Sequence, residues 1–138
     1  MNVISGRRSA SDPASMRITE TYAREQYAKF NALCFGGSLP DIPIVITKAR
    51  SYLGKVTFKR TYRFFRKTEY SDFKMRLSAY YDLPEEELQD ILIHEMIHFC
   101  ILSRNIKDTS AHGREFRHMM KTINSVYERH ISISYKIK

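Results

Sequence analysis

Disulfide chemistry and membrane spanning both lack raw material in this chain. Its two cysteines, Cys34 and Cys100, each stand beside a phenylalanine in a stretch of helical character, which suits a buried free thiol better than a disulfide or a metal ligand. No apolar run approaches the ~20 residues that cross a bilayer, and Arg7 and Arg8 are not followed by the apolar stretch of a signal peptide. A reducing, cytoplasmic setting with no membrane partner is the expectation. Internal repeats and linker-like composition are missing as well, so the 138 residues read as one domain, long enough to bury a core. Residues 1–15, rich in Ser and Arg and without periodicity, read as a flexible leader to a domain spanning 16–138.

Acidic residues are scarce in one window. Between Lys48 and Arg76 stand ten basic residues against Glu69 and Asp72, so the formal charge of +8 is concentrated there while the remainder balances. Within this window Leu53 to Phe65 alternates, with Val56, Phe58, Tyr62 and Phe64 on one side and Lys55, Thr57, Lys59, Thr61 and Arg63 on the other. Arg60 interrupts the apolar side. Phe73 to Tyr81 alternates in the same way, and the two runs read as an antiparallel hairpin joined through Arg66 to Ser71. Lys55, Lys59, Arg63, Lys74 and Arg76 then share one outer face, a patch suited either to a polyanion such as DNA or to plain solvation.

Elsewhere the periodicity is helical or turn-like. Thr19 caps a helix that carries Tyr22, Ala23, Tyr27, Phe30, Leu33 and Cys34 at helical spacing and ends at Gly36-Gly37. After a turn, Ile44 to Thr47 is a short strand. Pro84-Glu85-Glu86-Glu87 opens a second helix that runs to about Arg104, and Phe116, Met119, Met120, Ile123 and Val126 form the stripe of a third. Ile131 to Ile137 alternates and reads as a last strand. The fold class is α+β: an N-terminal helix, an antiparallel sheet of three to four strands, a central helix and a further C-terminal helix.

That central helix holds the chemistry. From Ile91 to Leu102 every residue is apolar except His94, Glu95 and His98, so the segment has no solvent face. Left unpaired in a core, each polar side chain costs about 1 to 3 kcal/mol. The plain alternative is a core helix whose two histidines and glutamate find ordinary partners. Spaced four apart, however, the imidazoles of His94 and His98 point the same way and can share one ion. This is the HExxH pattern, in which two histidines hold zinc and the glutamate takes a proton from zinc-bound water. A third protein ligand is required, with a fourth position open. His112 is preferred because the preceding loop lets the chain reverse toward the central helix, whereas Glu115, His118 and His130 remain as alternatives.

Taken together, Phe30-Asn31, the run Phe35-Gly36-Gly37-Ser38-Leu39-Pro40, Met75-Arg76-Leu77-Ser78, His94-Glu95-Met96-Ile97-His98 and His112-Gly113-Arg114-Glu115-Phe116 resemble the SprT-like metalloprotease domain, the family that includes the Spartan proteases. The resemblance runs from about Thr19 to Val126. It implies a small zincin-like α+β domain with the metal helix packed on a sheet, zinc ligands at His94, His98 and His112, and the catalytic acid-base at Glu95. For Spartan relatives it also implies cleavage of proteins bound or crosslinked to DNA. The chain lacks the cysteines for the zinc ribbon that follows the domain in many relatives, and the expectation is that any DNA contact comes from the domain itself. The expected function is zinc-dependent peptide hydrolysis on a protein or peptide substrate. The competing class is a nucleic-acid-binding module with a structural zinc, in which aromatics interleaved with the basic residues stack bases.

Overall fold

The computed structural model describes residues 14–65 and 67–135. The expected leader, 1–15, lies outside the described residues up to Pro13. Ser15 and Met16 form a short strand, β1, paired antiparallel with Leu83 and Pro84, β5. Among the described residues no helix is long and apolar enough to cross a membrane.

Helix α1, Glu20–Phe35, starts where the Thr19 hydroxyl accepts from the Tyr22 N–H at 3.2 Å. It buries Ala23, Tyr27 and Phe30, one residue per turn along a single face. It stops at Gly36 and Gly37, whose φ values of 62° and 73° are left-handed and disfavour any side chain. The turn that follows is held by Asn31, which donates to the Leu39 carbonyl at 2.9 Å and accepts from the Leu39 N–H at 3.0 Å. Tyr27 adds a hydrogen bond to the Pro40 carbonyl at 2.7 Å.

Three strands make the main sheet: β2, Ile44–Thr47; β3, Gly54–Thr61; and β4, Glu69–Ser78, in the order β2-β4-β3. The expected hairpin is present as β3 against β4. The sheet is nevertheless mixed and not purely antiparallel, because β2 lies parallel to β4, with Ile44 beside Met75 and Ile46 beside Leu77. The reason is the 48–53 connection, which carries the chain across to the far edge of β4. Side chains pin that crossing: Ser78 donates to the Ala49 carbonyl at 2.5 Å and Tyr81 to the Arg50 carbonyl at 2.7 Å. One face of the sheet carries Met75 and Leu77, fully buried against the central helix. The opposite face carries Lys55, Lys59, Lys74 and Arg76.

The β3–β4 register slips by one residue, since Thr57 faces Lys74 but Lys59 faces Ser71. Asp72 and Phe73 therefore both oppose Phe58, and Asp72 takes a left-handed φ of 54°. A second correction concerns Arg63. It lies beyond the end of β3 and pairs with Glu69 at 3.3 Å, leaving four of the five expected basic residues on the strand face.

Helix α2, Glu85–Ser103, has three glutamates in its first turn and twelve buried residues. Helix α3, Arg114–Tyr127, packs Phe116, Met120 and Ile123 inward. The expected strand from Ile131 to Ile137 is not formed among residues 131–135, and Lys136 to Lys138 lie outside the described residues. Asn124 takes both backbone groups of Ile131, donating to its carbonyl and accepting from its N–H at 2.9 Å each, and this replaces the ladder a strand would need. Ile131 is buried, and Ile133 and Tyr135 pack onto the core.

Arg129 joins the helices. It donates from Nε to Asp90 at 2.6 Å, from Nη2 to Gln89 at 3.0 Å and to the Glu86 carbonyl at 3.2 Å, and its guanidinium lies 5.2 Å from the Phe30 ring centroid. Burial pushes the Asp90 carboxyl above its ordinary range and Arg129 pulls it back. Removing the arginine leaves a buried carboxylate uncompensated. Arg129→Ala is therefore expected to cost about 3 to 5 kcal/mol in urea unfolding, and Asp90→Asn in the same chain should restore part of the loss. An unchanged unfolding midpoint in Arg129→Ala would remove this pair from the stabilising contacts.

Candidate metal centre

Three imidazoles from two elements converge above the sheet. His94 and His98 stand one turn apart on α2, and His112 enters from the loop before α3. His112 Nε2 lies 3.3 Å from His94 Nε2 and 3.1 Å from His98 Nε2. The ligand atoms of the three all fall within 4.8 Å of one another, a group able to hold a metal ion.

The protonation pattern suits a cation. The Ser132 carbonyl, 2.8 Å away, can only accept, so His94 carries its proton on Nδ1 and presents a lone pair at Nε2. Burial lowers the pKa of His94 to about 4, against the opposing pull of that carbonyl. Burial, with His94 and His112 adding to it, lowers His98 to about 3. His112 shifts in the same direction through burial and the nearby Arg117. All three rings are thus neutral near pH 7. A proton on His112 Nε2 could bridge only one of the two neighbouring nitrogens, leaving the others lone pair to lone pair. A single ion satisfies all three. Tetrahedral zinc with Zn–N of 2.0–2.1 Å separates its ligand nitrogens by about 3.3 to 3.4 Å, close to the separations of His112 from His94 and from His98.

Phe116, fully buried on α3, supplies the apolar backing. Its ring centroid lies 4.9, 4.6 and 4.9 Å from those of His94, His98 and His112. The His112 loop is held by Asp108, whose carboxylate accepts from the N–H groups of Thr109, Glu115 and Phe116 at 2.7, 3.1 and 2.9 Å. It therefore caps α3 from five residues before Gly113. A Cβ at Gly113 would come within 2.3 Å of that carboxylate, which explains the glycine after His112.

Glu95 is 4% exposed and turned toward the sheet, beside the histidine cluster. Burial alone raises its pKa, to about 8. Gly54 at the start of β3 makes its room, because a Cβ there would sit 3.1 Å from Glu95 Cγ and 3.2 Å from Oε2. A cleft of about 650 Å³ opens over Glu95, with Gly54, Val56 and Phe58 on one wall and Ile133 to Tyr135 on another.

The other sequence candidates fall elsewhere. Glu115 turns to Arg114 at 3.9 Å, while His118 and His130 are exposed, the latter 3.9 Å from Glu86. Sequence reasoning missed Gly54, Asp108, Asn124 and Ser132. The glycine in a basic strand was a legible sign of close approach. Ser132 acts through its backbone carbonyl, which no residue type advertises.

Comparison with known families adds one finding. The sequence model of the SprT-like family matches residues 23–136, past the point where the motifs end and through the segment that carries Ser132. No curated protein matches the chain closely enough to add a relative.

Hydrogen bonds run from Asn124 through Ile131 to Ser132 and His94, so metal affinity is expected to depend on a residue outside the cluster. With zinc or cobalt titrated into the purified protein, His112→Ala should abolish tight binding and His118→Ala should leave it unchanged. Asn124→Ala should weaken it about tenfold, in the range of lost outer partners. Full affinity in Asn124→Ala would show that the Ser132 carbonyl is held without the asparagine.

Proposed function

We propose, from the premise that the chain belongs to the SprT-like family, that it is a zinc-dependent metallopeptidase with a zincin-like site. One observation carries the reading: three neutral imidazoles converge beside a buried carboxylate on the floor of an open cleft. His94, His98 and His112 would hold the zinc. When bound there, zinc supplies a water acidified toward neutrality and polarises a substrate carbonyl.

The chain's own residues do the rest. Glu95 receives the proton of the attacking water on a carboxyl oxygen and returns it to the leaving amine; a cation held by the three histidines would offset the burial that raises its proton affinity and leave the carboxylate free to accept. Among the described residues β3 pairs with β4 alone, and its other edge, which no described strand covers, runs along the cleft. A substrate chain laid out along that edge finds unpaired backbone groups to bond. A closed structural site would need a fourth protein ligand, and among the described residues the group has three members. This favours catalysis over a purely structural zinc.

Replacement of Glu95 by Gln keeps shape and burial while removing the base. We expect zinc content and fold to be retained and peptide hydrolysis to fall by about 10²-fold or more. Chelation should abolish activity and added zinc restore it. Undiminished hydrolysis by Glu95→Gln would sink the mechanism.

DNA-associated proteins as substrates draw support from the outer sheet face. Lys55 lies directly opposite Arg76 there, with Lys74 and Lys59 on the same face. Like charges placed opposite one another destabilise a sheet, a cost that a polyanion relieves. With four phosphates neutralised, log affinity for duplex DNA against log salt should have a slope of about −3.6. Lys59→Ser with Lys74→Ser should flatten it by about two units. No binding at low salt would return the face to a role in solubility.

A further inference from the structure

We propose that Arg60, with Phe58 and Tyr70, forms a subsite that selects an acidic side chain of the peptide substrate, a proposal that rests on the peptidase reading above. In sequence Arg60 breaks the apolar side of its strand. In the fold it lines the cleft on the same face of β3 as Gly54, Val56 and Phe58. Its guanidinium lies 5.8 Å from both the Phe58 and the Tyr70 ring centroids. These two rings meet edge to face at 5.3 Å and form a floor.

The rings lie on one side of the guanidinium, and among the described residues Tyr62 is its one hydrogen-bond partner. Nη1 donates to the Tyr62 hydroxyl at 3.0 Å. Among the described residues no carboxylate pairs with Arg60; Glu69 lies opposite Thr61, on the other face of the sheet, and pairs with Arg63. The cleft's own acids are also committed, Glu95 by burial and Asp108 by three backbone N–H groups. A planar fork on an aromatic floor, with no carboxylate paired to it among the described residues, fits a substrate carboxylate bidentately.

Position in the substrate follows from strand geometry. Glu95 packs against Gly54, and at about 3.3 Å per residue Arg60 lies roughly 20 Å farther along β3. Its side chain leans back over Phe58, shortening that reach. A substrate extended along the free edge of β3 therefore brings a side chain to Arg60 about four to six residues from the scissile bond.

The test uses zinc-loaded protein and matched fluorogenic peptides that differ only by Glu, Ala or Lys at those positions. The wild-type chain should favour Glu over Ala by about fivefold in kcat/KM. Arg60→Ala should bring that ratio to about one, and Arg60→Glu should turn the preference to Lys. A ratio of one in the wild-type chain, with all peptides cleaved, overturns the subsite and leaves the peptidase reading standing. If no peptide is cleaved the peptidase reading falls. The subsite is then judged by anisotropy on zinc-loaded Glu95→Gln, where equal affinity for Glu and Ala peptides overturns it and a Glu preference lost in Arg60→Ala upholds it. A single-stranded oligonucleotide serves as competitor. If Arg60→Ala weakens the oligonucleotide and not the Glu peptide, the arginine serves nucleic acid and the proposal fails.

Discussion

Burial of three polar side chains inside an apolar helix is the constraint from which the surrounding structure follows. Helix α2 carries His94, Glu95 and His98 through the core with at most partial exposure, and each must be answered locally. His94 is answered by a backbone carbonyl from the C-terminal segment, and the two histidines together by His112. Glu95 has no hydrogen-bond partner among the described residues and is met by space, which Gly54 provides. The parts of the chain that look irregular, the His112 loop and residues 131–135, are the parts that meet these needs.

Irregular segments cannot rely on ladders or helical repeats for their backbone groups, and here side chains take that place. Asn31 holds both polar groups of Leu39, and Asn124 does the same for Ile131. Asp108 takes three N–H groups around the start of α3. Short polar side chains suit this work because they reach a neighbouring backbone with little rotamer freedom to lose. The same logic places a glycine at 113, where a methyl group would displace the Asp108 carboxylate.

Much of this was legible in the sequence, and the limits have physical causes. The helices could be read because their signals are local: Thr19 and Gly36 bound α1, and three glutamates open α2. Convergence of His94 and His98 follows from helical spacing alone. Parallel pairing of β2 with β4 could not be read, since it depends on where a six-residue connection crosses the sheet. The last apolar alternation, from Ile131, has strand periodicity but forms no strand over residues 131–135, where the Asn124 side chain takes both backbone groups of Ile131. Arg63 alternated correctly on paper but falls past the strand end, where Glu69 draws it aside.

The bulge in β4 shows how one residue of register can divide a sheet between two tasks. Had the pairing of Thr57 with Lys74 continued unbroken, Thr61 would face Tyr70, and that ring would join the basic outer face. The slip at Asp72 and Phe73 instead sets Tyr70 opposite Arg60 and turns it toward the cleft. Phe73, sharing the position opposite Phe58, reaches inward to Phe99 on α2 with ring centroids 5.1 Å apart. An aromatic path thus runs from the helix that bears the histidines out to the guanidinium of Arg60. The left-handed backbone at Asp72 is what this arrangement costs. The basic residues keep to the other face on both sides of the slip, so one strand pair presents an arginine on aromatic rings to the cleft and Lys55, Lys59, Lys74 and Arg76 to the outside.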